Sequence, residues 1–145
     1  MTQPAGKKFA VGDVATRDVL LTAEEIARQA AALGDTNPLH HDEAAARASR
    51  FGGLIASGAH TLALLTGFCA GFTTSRSPAL GLEFSYQLRR AVRAGDVFRM
   101  RWEVVAVEPS EKLGGDVVAL AAEARDGEGR VLVTGTGRIL VKHAL

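Results

Sequence analysis

His60-Thr-Leu-Ala-Leu-Leu-Thr-Gly-Phe-Cys-Ala70 decides the fold. Ser57 stands just before it, and a serine there can accept hydrogen bonds from the free N–H groups of a first helical turn. The stretch therefore reads as a helix from Ser57 to about Ala70. Its apolar residues fall on nearly every face, and a helix apolar all round is buried all round. Such a helix needs an architecture to wrap it.

The sequence downstream supplies the wrapping. Leu80, Leu82, Phe84, Tyr86 and Leu88 alternate with small or polar residues, the signature of a half-buried strand. After the turn Ala94-Gly95-Asp96, Phe98, Met100, Trp102, Val104 and Ala106 alternate with Arg99, Arg101 and Glu103. Val117–Arg125 reads as a third strand. Asp126-Gly-Glu-Gly129 is a hairpin loop, and Val131–Val141 is a fourth strand. Strands joined by short turns imply an antiparallel sheet. The expected class is α+β, with one curved antiparallel sheet around one long central helix.

Upstream, Phe9-Ala-Val-Gly-Asp13 ends in a turn and Val14–Leu21 is a candidate strand. Thr22 with Glu25 forms a capping box for a helix that sets Ile26, Ala30 and Leu33 on one face. Gly34 ends it as a left-handed cap. Asp42 caps a second helix over Glu43–Ala48, and Phe51-Gly52-Gly53 breaks it.

The chain has 145 residues, which predicts a single domain over 1–145 with the residues to about Lys8 loose. Lys and Arg number 17 and Asp and Glu 16, so the net charge is +1. That balance argues against nucleic-acid or anionic-membrane partners, which need a clustered basic excess. Hydrophobic residues make up 47% and charged residues 23%, which excludes disorder. A single cysteine, Cys69, excludes an internal disulfide and a Cys-based zinc site, and a reducing compartment fits. Cys69 reads as a small core residue. Met1–Phe9 holds no apolar core of a signal peptide, so a cytoplasmic location is expected. The apolar stretch Leu62–Phe72 is too short for a bilayer, which takes about 20 residues.

Asp35, Asn37, His40, His41 and Asp42 crowd into eight residues between the two helices. A carboxylate and an imidazole five residues apart, across an Asn-Pro turn, can converge on one small molecule such as water. One takes a proton while the other gives one. Asp35 could instead satisfy backbone N–H groups, and Asn37-Pro38 could be a turn and nothing more. A metal site is the weakest reading, because adjacent histidines seldom face the same way and no His-x-x-x-His spacing exists. No metal or nucleotide cofactor is expected.

Asp35-Thr-Asn-Pro-Leu-His40-His-Asp42, followed by Ile55-Ala-Ser-Gly58 and the apolar helix, resembles the MaoC-like hydratases. These include R-specific enoyl-CoA hydratases and (3R)-hydroxyacyl dehydratases. The resemblance starts near Phe9 and extends through Ala91-Val-Arg-Ala-Gly-Asp96. It implies the hot-dog fold and reversible hydration of a trans-2-enoyl thioester to a (3R)-hydroxyacyl thioester. Asp35 and His40 match the catalytic pair that holds the water, and Asn37 the residue that orients their loop. Gly58 matches a glycine whose N–H polarises the thioester carbonyl, a role a helix N-terminus suits. Thr66 falls where relatives place a small hydroxyl residue near the site. The implied partner is an acyl-CoA or acyl-carrier-protein thioester. Arg89, Arg90 and Arg93, with Arg76, form a loose basic set able to bind its phosphate or simply to face solvent.

Two departures stand out. Ser57 replaces a histidine found in many R-hydratases, with His60 three residues on, and Ser77-Pro78-Ala79 replaces a Pro-Gly element. His60 reads as a residue that reaches the site or as a core or interface histidine; His143 reads as exposed. The alternatives are a non-catalytic acyl-thioester-binding subunit and, less favoured, a thioesterase. An uncovered sheet edge must be paired or covered, so a homodimer or an assembly of dimers is expected, as in relatives.

Overall fold

A computed structural model describes residues 8–142. The expectations for the first seven residues and for His143 lie outside the described residues. The elements run β1 (Val14–Leu20), α1 (Ala23–Ala32), a 3₁₀ turn (Pro38–His40), α2 (Glu43–Ala48), α3 (Gly58–Thr74), β2 (Ala79–Leu88), β3 (Val97–Ser110), β4 (Gly115–Asp126) and β5 (Val131–Lys142). The five strands form one antiparallel sheet in the order β1-β3-β4-β5-β2. With α3 packed on it, this is the α+β hot-dog arrangement.

Alternation in β3 puts Phe98, Met100, Trp102 and Val104 in the core, and β4 adds Val118, Leu120, Ala122 and Ala124. Leu65 and Cys69 of α3 close the core from above. Trp102 ties the layers together, its indole N–H donating to the Leu65 carbonyl at 2.9 Å. The Thr22–Glu25 capping box forms as expected, with N–H to side-chain distances of 3.1 and 2.8 Å. Gly34 has a φ of +75° just past the end of α1, where a left-handed residue is needed.

Four expectations need correction. Helix α3 runs to Thr74, four residues beyond Ala70. The Thr73 and Thr74 hydroxyls donate to the carbonyls of Cys69 and Ala70, so they fit a helical last turn, and Pro78 stops further helix. Nor is α3 buried all round: Ala63, Gly67, Ala70 and Gly71 face outward, because one sheet covers one side of a helix. In β2 only Ala79, Phe84 and Tyr86 lean inward, while Leu80, Leu82 and Leu88 are 59, 44 and 54% exposed. This strand is a sheet edge, and a bulge between Gly81 and Glu83 breaks its alternation. A second bulge between Val104 and Ala106 leaves Val105, 48% exposed, without a partner in the register of β4. Finally, Leu33 is half exposed, because α1 outruns the core that holds Ile26 and Ala30.

Candidate active site

The Asp35–Asp42 segment is shaped by its own short side chains. Pro38 forces Asn37 into an extended conformation, φ −58° and ψ 121°. From there the Asn37 side chain accepts from the Leu39 N–H at 3.1 Å and starts the 3₁₀ turn. Asp35 Oδ1 accepts from the Asn37 N–H at 3.0 Å, so the turn reading of Asp35 is also satisfied. Its other oxygen, Oδ2, lies 3.3 Å from His40 Nε2. His41 also reaches back to this residue, with Nε2 2.6 Å from the Asp35 carbonyl oxygen.

His40 is buried and its Nδ1 stands 2.7 Å from the Ile55 carbonyl oxygen. A carbonyl only accepts, so Nδ1 carries the hydrogen. In the neutral ring Nε2 is then a bare lone pair aimed at the Asp35 carboxylate.

This pair borders a cavity of about 690 Å³. Asn37, Ile55, Ala56, Gly58 and Thr61 continue the wall around it. Val92, Phe98 and Leu132 make its apolar floor. Gly58 opens α3, so its N–H has no intrahelical acceptor. A Cβ at Gly58 would lie 2.8 Å from Leu88 Cδ1, so glycine lets β2 close over the helix end.

The rim is basic. Arg50, Arg89, Arg90, Arg93 and Arg130 line it, with Asp96 and Asp126. Arg130 is neutralised by Asp126 at 2.8 Å. Burial pushes the Asp126 carboxyl up, but the N–H groups of Arg130 and Glu128 and the Arg130 guanidinium outweigh it and hold it below its usual range. The other arginines meet neutral groups. Arg90 donates to the Val131 carbonyl at 2.9 Å, Arg89 to the Gln87 side chain and Arg93 to the Phe51 carbonyl. The Arg50 guanidinium sits 4.8 Å from the Phe51 ring centre.

Asp35, Asn37, His40, Gly58, Arg89, Arg90 and Arg93 thus share one cavity. Ser57, His60 and Thr66 do not line it. Ser57 is fully buried and caps α3, accepting from the His60 N–H at 3.1 Å. The His60 ring is buried with Nδ1 lacking a partner. Thr66 pairs with the Tyr86 hydroxyl at 2.6 Å, between α3 and β2. Arg76 lies elsewhere, bound to Asp13. Burial pushes the Cys69 thiol up to about 11, so it is inert core. Among the described residues no cluster of three metal-ligating side chains exists, and no helix is long and apolar enough to cross a membrane. Sequence reading missed Ile55, whose contribution is a backbone carbonyl and leaves no side-chain signal, and missed Arg50, and Phe51, which read only as part of a helix breaker.

The model of the MaoC like domain matches residues 8–124. A Streptomyces avermitilis protein named UPF0336 protein is 30% identical over 129 residues, 83% of each chain. Among solved structures, the (R)-hydratase from A. caviae involved in PHA biosynthesis superposes with a TM-score of 0.82 at 26% identity. The match covers 94% of this chain and 99% of that one. The MaoC-like dehydratase from Rhodospirillum rubrum gives 0.78 at 28% identity, over 97% and 98%.

Proposed function

Because this chain belongs to the MaoC-like domain family, we propose that it adds water reversibly to a trans-2-enoyl thioester, giving the (3R)-hydroxyacyl thioester. The observation that carries the reading is the 3.3 Å approach of Asp35 Oδ2 and His40 Nε2 at the wall of a cavity that also holds the start of α3. Water between the two acceptors gives one proton to the pair as its oxygen bonds to C3. The π electrons move onto the thioester oxygen, where the Gly58 N–H and the positive end of α3 stabilise the enolate. The enolate then collapses and C2 takes the proton from the pair. Substrate plus one water equals product, and no group on the enzyme is consumed. Asn37 holds the loop, and Arg89 and Arg90 at the rim suit the phosphate of CoA or of a carrier-protein arm.

Hydration of crotonyl-CoA, followed by loss of the conjugated absorbance, tests this. Asp35→Asn and His40→Ala should each lower the rate on the order of 10²–10⁴. Unchanged rates would remove the assignment. Binding without turnover would favour a non-catalytic subunit, and release of free thiol a thioesterase.

The reading includes a second copy of the chain. Edge strand β2 exposes Leu80, Leu82 and Leu88, and α3 exposes Ala63 and Gly67, whose small side chains allow close approach. Pairing two β2 edges would cover these surfaces and remove an unpaired edge. Sedimentation equilibrium should give a dimer that Leu82→Lys weakens. A 15.2 kDa monomer with full activity would sink the shared assembly and spare the chemistry.

A further inference from the structure

We propose that Arg93 is a positioning residue for His40, acting through the segment from Phe51 to Ile55, and that it is not an anion contact. The inference rests on the hydratase reading for its kinetic consequence, though not for its structural one.

Arg93 borders the cavity, but its guanidinium is engaged by the Phe51–Gly52 chain. It donates to the Phe51 carbonyl and packs on Gly52, where a Cβ would stand 3.1 Å from Nη2. The backbone on either side of it makes a second link. Arg93 forms an antiparallel bridge with Ile55, flanked by Ala56 N–H to Val92 O at 2.9 Å and Ala94 N–H to Leu54 O at 3.0 Å. The segment is therefore held at Phe51 by the Arg93 side chain and beside Ile55 by the main chains of Val92 and Ala94.

That segment carries the group on which His40 depends. The Ile55 carbonyl takes the His40 Nδ1–H at 2.7 Å, and the Ile55 N–H donates to Leu39 O at 3.1 Å, one residue before His40. The position of this carbonyl sets the plane of the imidazole and which nitrogen carries the hydrogen. Between the two anchor points lie Gly52, at φ +67°, and Gly53, the softest backbone the chain could place there. The guanidinium removes that freedom. Arg89 and Arg90 bond to Gln87 and Val131, and neither bond touches the segment.

The test uses the full chain with Arg93→Met, which keeps an apolar stem and loses charge and donor, and Arg93→Lys, which restores one donor. With crotonyl-CoA, Arg93→Met should lower kcat by about 10²-fold, the cost of about 1 Å of misplacement, with KM nearly unchanged. Arg93→Lys should recover most of it. An anion contact predicts the reverse, a raised KM with kcat intact in Arg93→Met, and that result overturns the proposal. Nitrogen-detected NMR of His40 without substrate gives a readout independent of turnover. Wild type and Arg93→Lys should show a single form with the hydrogen on Nδ1, and Arg93→Met a mixture. If wild type hydrates no enoyl thioester, the hydratase reading fails while the NMR comparison still decides the role of Arg93. An unchanged His40 spectrum in a folded Arg93→Met chain also overturns it.

Discussion

At the far end of α3, polar groups close on one another. Arg76 lies 5.0 Å from the ring centres of both Phe9 and Phe72, bonds Asp13 at 2.7 Å and caps the Lys8 carbonyl. The Lys8 ammonium reaches Ser77, whose hydroxyl donates to Lys142 O. At the near end the pattern inverts. Gly58, the first residue of α3, lines a cavity, His40 Nε2 lies 3.3 Å from the Asp35 carboxylate, and Arg50, Arg89 and Arg90 meet only neutral groups. The same helix is stapled at one end and left chemically open at the other. On the proposed function, stability and reactivity belong to different ends, and substitutions should separate them.

The largest effect should come from the junction between the ends. Trp102 is fully buried, packs edge-on against Phe84 and Tyr86, and bonds the Leu65 carbonyl in the middle of α3. Trp102→Ala should destabilise by about 3–5 kcal/mol through lost burial and the cavity left behind. Chemical denaturation would measure it. A loss below about 1 kcal/mol would mean that α3 is held to the sheet by something other than this ring.

Next comes the open end. Gly58→Ala puts a methyl 2.8 Å from Leu88 Cδ1, and Leu88 is an exposed residue at the end of an edge strand. It can yield, so the fold should survive, but the first turn of α3 should shift relative to Asp35 and His40. The expected result is a fall in turnover of about 10-fold, equivalent to about 1.4 kcal/mol, with little change in denaturation midpoint. Equal losses of stability and rate would mean that Gly58 only packs.

How much of this was legible in the sequence divides along the same line. Side-chain patterns read well. The capping box at Thr22, the span Glu43–Ala48 and the alternation from Phe98 to Val104 depend on local rules that the structure obeys. The convergence of Asp35 and His40 was visible because an Asn-Pro turn folds five residues back on themselves. What did not read was whatever depends on the backbone or on position in the sheet. The Ile55 carbonyl has no letter of its own. Leu80 and Leu88 have the alternation of buried residues, and only strand order reveals that β2 is an edge. The outward face of α3 misled for a related reason: alanine and glycine count as apolar but expose little apolar surface. Thr66 was expected near the site and instead pairs with Tyr86, a contact between residues twenty apart.

The stapled end should tolerate change without loss of chemistry. Arg76→Ala removes one partly exposed ion pair and two cation–π contacts, together about 1 kcal/mol. A lowered melting temperature with crotonyl-CoA turnover unchanged is the expected pair of results. A fall in turnover at constant stability would show that the two ends are coupled through α3.

The smallest effect belongs to His60, which lies in the first turn of α3 and yet faces away from the cavity. Its ring is buried and Nδ1 finds no partner. Burial lowers its pKa from the ordinary 6.5, and the Glu25 carboxylate raises it only in part. The start of a helix also disfavours a cation. In the folded chain His60 therefore holds its proton less tightly than in the unfolded chain. As pH falls below about 6.5 the unfolded state takes up the proton first, and the folded state loses ground. The native advantage is complete above that value and is lost as pH falls toward the lowered one. His60→Leu should flatten the fall in melting temperature between pH 6.5 and 5 and leave the value at pH 8 nearly unchanged. Glu25→Gln removes the charge that eases protonation, as well as half of the capping box, so it should steepen the fall from a lower starting value. Parallel curves for wild type and His60→Leu would show that the buried imidazole has no part in the acid sensitivity of the fold.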